Sequence, residues 1–135
     1  MSCKPLIYMS NDAVTQVAQN ATIPFGNIVR RKSNHINGGA NGVTLGECGY
    51  YEVLVNITFT GQAAGDAIFN MLQDNVQVIG GSAQETITTA STEYRTVTIP
   101  VVVRVERNNI PDVLSVVNAG IAINVIKSSI VVIKE

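Results

Sequence analysis

Few side chains in this sequence have the type and spacing for covalent chemistry. There is a single histidine, His35, and there are two cysteines, Cys3 and Cys48. A hydrolytic centre needs a nucleophile with a base held beside it. His35 is the one side chain with an ordinary pKa near neutrality, and no Gly-x-Ser-x-Gly elbow offers it a serine. A metalloenzyme centre built from clustered His and Glu ligands needs several of them, and one histidine does not supply the set. His35, beside Asn34, is therefore expected in an exposed loop. The run "GGANG" (38–42) is followed by Val43 rather than by Lys and Ser or Thr, so it is a loop and not a phosphate cradle. Cys3 and Cys48 lack CxxC spacing, and two cysteines are too few for a disulfide framework. A Cys3–Cys48 bridge and two free thiols both stay open, with Cys48 expected to be buried or half-buried.

Charge is as sparse as chemistry. Arg30, Arg31 and Lys32 form the one cluster, suited to an acidic partner, a nucleic acid, the surface of a larger particle or simply a solvated strand end. The carboxylates are scattered. Glu52 stands out because it lies between Tyr50 and Leu54 on one face of a strand. Several copies of it brought together would repel, bind a cation or pair with a base such as Arg104. Arg104, Glu106 and Arg107 are expected at a loop rim.

The element that carries Glu52 is "GYYEVLVNITFTG", 49–61. Its residues alternate: Tyr51, Val53, Val55, Ile57 and Phe59 on one side, Tyr50, Glu52, Leu54, Asn56, Thr58 and Thr60 on the other. Period 2 identifies a strand with one buried face. Tyr50 and Leu54 then stand on the face that should be wet. The chain's end repeats the pattern: Ile130 and Val132 lie opposite Val131 and Ile133, and Ile123 and Val125 lie opposite Ile126. Strands apolar on both faces are covered on both.

Val, Ile and Thr dominate elsewhere, with Gly, Asn, Pro and Asp between them. Strands are expected at 5–9, 13–18, 21–29, 33–37, 42–45, 49–60, 66–73, 76–79, 83–90, 94–106, 113–118, 121–126 and 129–134. Some of these are short fragments of about ten strands in all, in an antiparallel sandwich or barrel. Asp74-Asn75 is the expected tip of a hairpin, and "GGS" (80–82) an expected break.

The totals fit this reading. The chain has 135 residues, 46% of them apolar and 14% charged, against about 25% charged in an average soluble domain. One domain is expected, with a surface poor enough in charge to be partly hidden in an assembly. The net charge of −1 disfavours a general nucleic-acid binder. No run of about 18 apolar residues predicts a membrane-spanning helix, and "MSCKPLIYMSNDAV" lacks the long apolar core of a secretory signal.

At "GYYEVLVNIT", the hairpin "AIFNMLQDNVQVIGG" and the closing "SSIVVIKE", the sequence resembles the globular heads of the complement and tumour-necrosis-factor superfamily. The closing segment lacks the Phe-Thr-Gly-Phe type of signature found in many members. The resemblance implies an all-β, antiparallel, ten-stranded jelly-roll sandwich that assembles as a homotrimer. It implies an extended N-terminal arm over 1–20 and a jelly-roll domain over 21–135. The implied trimer interface comprises Tyr50, Glu52, Leu54, Ile126, Val131 and Ile133.

Similar domains decorate phage virions and the surfaces of bacterial collagen-like proteins. The expected role is therefore structural and non-enzymatic, without cofactor or metal, on a phage capsid as a decoration or head-fibre protein. Its partners would be the major capsid protein or other virion proteins, with neither nucleic acid nor membrane. The alternative is a head on a bacterial cell surface or spore coat that binds a receptor or a cell-surface glycan.

Overall fold

A computed structural model describes residues 4–33, 35–39 and 42–135. Eleven strands follow one another: β1 (Leu6–Asn11), β2 (Thr15–Val17), β3 (Asn27–Lys32), β4 (Ile36–Gly39), β5 (Gly42–Leu45), β6 (Gly49–Gly61), β7 (Gly65–Gln73), β8 (Val76–Ile87), β9 (Tyr94–Val105), β10 (Asp112–Asn118) and β11 (Ile123–Lys134). A 3-10 turn at Arg107–Asn109 precedes β10. The first sheet runs β3-β1-β11-β6-β9, with β2 also paired to β11; the second runs β4-β5-β10-β7-β8. All the strand pairs are antiparallel. From β5 onward the chain crosses between sheets after each strand or hairpin, which is the jelly-roll course.

The core follows the alternation. Tyr51, Val53, Val55, Ile57 and Phe59 of β6 are all buried, as are Ile130 and Val132 of β11. Phe59 from the first sheet meets Phe69 of β7 edge-on, centroids 5.0 Å apart, and this contact joins the layers. The β7–β8 hairpin turns at Asp74 (φ 53°) and Asn75 (φ 68°). Two consecutive positive φ values make the primed turn that suits strand twist, and Asp and Asn tolerate it.

Several expected boundaries need correction. Within the segment expected as an arm, residues 4–20 contribute two strands to the first sheet. β1 lies between β3 and β11, with Ile7 and Met9 buried, and β2 adds Val17 to the core. Residues 21–26 are mostly a connection bearing one bridge, Thr22 to Val117, and the strand begins at Asn27. The "GGS" run does not break β8. Gly80 takes φ +80° near a register shift opposite Asn70 and Leu72, so a bulge absorbs it. The expected pair 121–126 and 129–134 is one strand, β11, with an irregularity between Val125 and Lys127. Of the other expectations, those for Cys3, Asn34, Ala40 and Asn41 lie outside the described residues.

Candidate functional site

The outer face of the first sheet is built row by row from the strand registers. Lys32 pairs Leu6, Leu6 pairs Ile133, Ile133 pairs Glu52, and Glu52 pairs Val102. The next row is Arg30, Tyr8, Val131, Leu54 and Pro100. On the other side of the Glu52 row, Tyr50 pairs Arg104. Beyond Leu54 the face turns polar: Ser10, Ser129, Asn56 and Thr98, then Thr58 and Thr96. Thr98 donates to Asn56 Oδ1 at 2.7 Å, and the hydroxyls of Thr58 and Thr96 lie 3.0 Å apart. One half of the face is thus an apolar band, and the other is polar, with Asn56 and Thr58 paired to Thr98 and Thr96.

The band has a shallow groove of about 480 Å³, lined by Glu52, Leu54, Pro100, Val102, Val131 and Ile133 among others. Three of its apolar side chains remain substantially open: Tyr50 at 53%, Leu54 at 40% and Val102 at 62% exposure. Five of the six residues expected at an interface are brought together here: Tyr50, Glu52, Leu54, Val131 and Ile133. Ile126 is not among them. It lies at the β11 irregularity, alongside the polar half. Leu6, Tyr8, Pro100 and Val102 complete the band, on strands whose neighbours the sequence does not announce. Pro100 was the available signal, because a proline within a strand suits an edge, and β9 is the edge of its sheet.

Charge is arranged unevenly around the band. Glu135 N–H donates to the Tyr50 carbonyl at 2.8 Å, which sets Glu135 diagonally across from Glu52. A hydrogen bond with the Glu135 side chain and that group's negative charge raise the Glu52 carboxyl above its ordinary range. Slight burial adds to the rise, and Lys4 partly opposes it. Arg104 does not partner Glu52: its guanidinium sits 5.9 Å from the Tyr50 ring centroid and 3.8 Å from Glu106.

At the same end, Lys134 donates to Glu47 Oε1 at 2.5 Å. That bond lowers the Glu47 carboxyl. Tyr51 donates to the Glu47 carbonyl at 2.6 Å, and burial, with Glu47 and Cys48 nearby, pushes its phenol up to about 12. These groups tie the strand end together.

His35 is exposed, and its carbonyl accepts from Gly46 N–H at 2.6 Å. Cys48 is half-buried. No group of three or more His, Cys, Asp or Glu among the described residues could hold a metal ion. No helix among them is long and apolar enough to cross a membrane. Asp112 is buried, with Oδ2 accepting from Gln73 Nε2 at 2.7 Å; the same amide donates to the Arg104 carbonyl at 2.8 Å. Burial raises the Asp112 carboxyl and Asp74 adds to the rise, while Gln73 opposes it. The Gln73 amide thus fastens the end of β7 to β10, through Asp112, and to the end of β9.

Strand order, crossings and core define a jelly roll of the tumour-necrosis-factor and complement-head type. Solved structures agree with that class across nearly the whole chain. The globular domain of zebrafish complement 1qA superposes with a TM-score of 0.67 at 9% identity, over 95% of this chain and 94% of that one. Murine APRIL gives 0.69 at 12% identity, over 98% and 100%. Vertex protein P5 of the phage PRD1 gives 0.60 at 15% identity, over 99% of each chain. No family model matches the sequence, and no curated protein matches it. The likeness is one of fold.

Proposed function

We propose that this chain is a non-enzymatic structural module that assembles as a homotrimer on the surface of a phage virion, as a capsid decoration or head-fibre protein. The apolar band on the outer face of the first sheet carries the reading. Tyr50, Leu54, Val131 and Ile133 form one continuous surface with Leu6, Tyr8, Pro100 and Val102, beside a polar half-face in which Asn56 and Thr58 are paired to Thr98 and Thr96. Contiguous exposed apolar surface of this kind marks an interaction site, and a tyrosine among aliphatic side chains suits the core of an interface. Likeness to a phage vertex protein over the full length supports the virion setting.

Ile126 belongs at the margin of this interface, while Glu52 sits within it. Light scattering at micromolar concentration should give three times 14.4 kDa, and a 14.4 kDa species would overturn the trimer. Antibodies against the chain should label purified intact virions, and label found only on free protein would overturn the setting.

A further inference from the structure

The apolar band carries opposite charges at separated positions of one row. Lys32 stands on β3, Leu6 and Ile133 follow on β1 and β11, and Glu52 stands on β6. Arg30 lies beside Lys32 on the same face, two residues along β3, and Glu135 lies diagonal to Glu52. Strands in a sheet are about 4.8 Å apart, so β3 and β6 stand roughly 14 Å from each other. The cations and carboxylates of this row cannot meet within one sheet.

Among the described residues, neither set has an ion-pair partner where it stands. No carboxylate among them forms an ion pair with Arg30 or Lys32, and Arg30 Nη1 donates to the carbonyl of Val29 at 2.9 Å. Arg31, on the opposite side of the strand, is engaged with Asn37 Oδ1 at 2.7 Å. Glu52 and Glu135 face each other as like charges, with Lys4 as the nearby cation acting on Glu52. Arg104 is turned to Tyr50 and Glu106. All six residues of β3 are exposed, which leaves its cations free to meet another molecule.

We propose that a second copy of this chain covers the band in a staggered register, so that Arg30 and Lys32 of one copy meet Glu52 and Glu135 of the next. The apolar residues between the two charged positions are then buried against their counterparts. This inference rests on the proposed self-assembly and specifies how the copies find their register. Two copies in the same alignment would set cation on cation, so the pattern selects against an eclipsed packing. In a trimer the contact from one subunit's cationic edge to the next subunit's acidic strand repeats head to tail, and such a heterologous contact closes into a ring when its rotation permits.

A charge exchange tests it. One variant carries Arg30→Glu and Lys32→Glu, a second carries Glu52→Lys and Glu135→Lys, and a third carries all four. Sedimentation at graded concentration should show each half-exchange weakening assembly at least tenfold, and the complete exchange returning it to within about threefold of the natural chain. All four side chains are exposed in the protomer, and circular dichroism of each variant checks that the sandwich persists.

As a measurement needing no variant, dissociation of the natural assembly should rise with salt, because charge attraction at a solvated rim is screened. Half-exchanges that assemble like the natural chain, a complete exchange that does not recover, or assembly indifferent to salt would each overturn the charge register while leaving the trimer intact. A natural chain that stays at 14.4 kDa removes the trimer itself. A species of twice that mass would overturn the trimer but support the pairing, which a two-fold also allows, if the complete exchange recovers it.

Discussion

Leu54 lies at the centre of the band, between Val131 on β11 and Pro100 on β9. It is 40% exposed in the protomer and contributes little to the core. Leu54→Glu should therefore leave the fold in place and place an unpaired charge in the proposed contact. The expected outcome is a folded 14.4 kDa species with an unchanged far-ultraviolet spectrum. A trimer that tolerates this substitution would place the interface elsewhere.

Glu47 offers a residue-scale test by pH. Lys134 holds its carboxyl below the ordinary range, so the folded state binds its proton less readily than the unfolded chain does. Stability from the pair is fully present above the unfolded pKa and is lost as pH falls through the lowered folded value. The pair is partly exposed, at 17% for Lys134 and 38% for Glu47, so its contribution is at most about 1 kcal/mol. Urea melts of Glu47→Gln should show a small loss at pH 7 that closes below about pH 4. A gap that widens on acidification would contradict the pairing.

At the scale of elements, Asn118 joins parts of both sheets. It ends β10 and is fully buried. Its amide donates to the carbonyls of Ile121 (2.8 Å), Val17 (3.3 Å) and Ala18 (3.3 Å), while its Oδ1 accepts from Gly120 N–H at 3.0 Å. One side chain therefore fixes the turn into β11 and anchors the end of β2. The Ala18 carbonyl also accepts from Ala21 N–H at 3.1 Å, but Asn118→Ala removes the amide from the Val17 and Ile121 carbonyls and from Gly120 N–H. An unpaired buried group costs about 1–3 kcal/mol, so a loss of about 2–4 kcal/mol is expected in chemical denaturation. A loss below 0.5 kcal/mol, within the range of ordinary surface substitutions, would mean that water replaces the amide.

Asn118 also shows where the sequence stops being informative. Alternation alone sorted β6 correctly, because thirteen residues repeat a period of 2 often enough to outweigh Leu54 and Tyr50 on the outer face. The same pattern in β11 looks like two strands because the irregularity near Ile126 shifts the phase, and a phase shift resembles a turn. β1 looks like part of an arm because six residues announce a strand but not its partners. Its place between β3 and β11 depends on contacts more than a hundred residues away in sequence, such as Leu6 with Ile133. The band was legible on β6 and β11 and missed on β1 and β9 for the same reason: a face is a property of neighbouring strands. Asn118 is legible only as a turn residue beside Gly120 and Ile121, since its bonds to Val17 and Ala18 form only when β2 is brought to the end of β10.

At the scale of the whole molecule, the core and the proposed interface answer to different variables. The core closes within one protomer, with 27 buried apolar residues among those described, drawn from both sheets and the segment before β3. Its stability does not depend on how much protein is present. If unfolding of the natural chain also dissociates a trimer, mass action adds twice RT ln 10, about 2.7 kcal/mol per trimer, for every tenfold rise in concentration. Shared over three chains this is about 0.9 kcal/mol each. An unfolding entropy of about 2.1 cal/mol/K per residue over 135 residues converts it to a Tm shift of about 3 °C per decade. Scanning calorimetry across two decades should therefore move the midpoint by about 6 °C for the natural chain and leave Leu54→Glu stationary. A natural chain with a fixed midpoint would show that the outer face contributes nothing to unfolding. The band would then have to be covered by a different molecule.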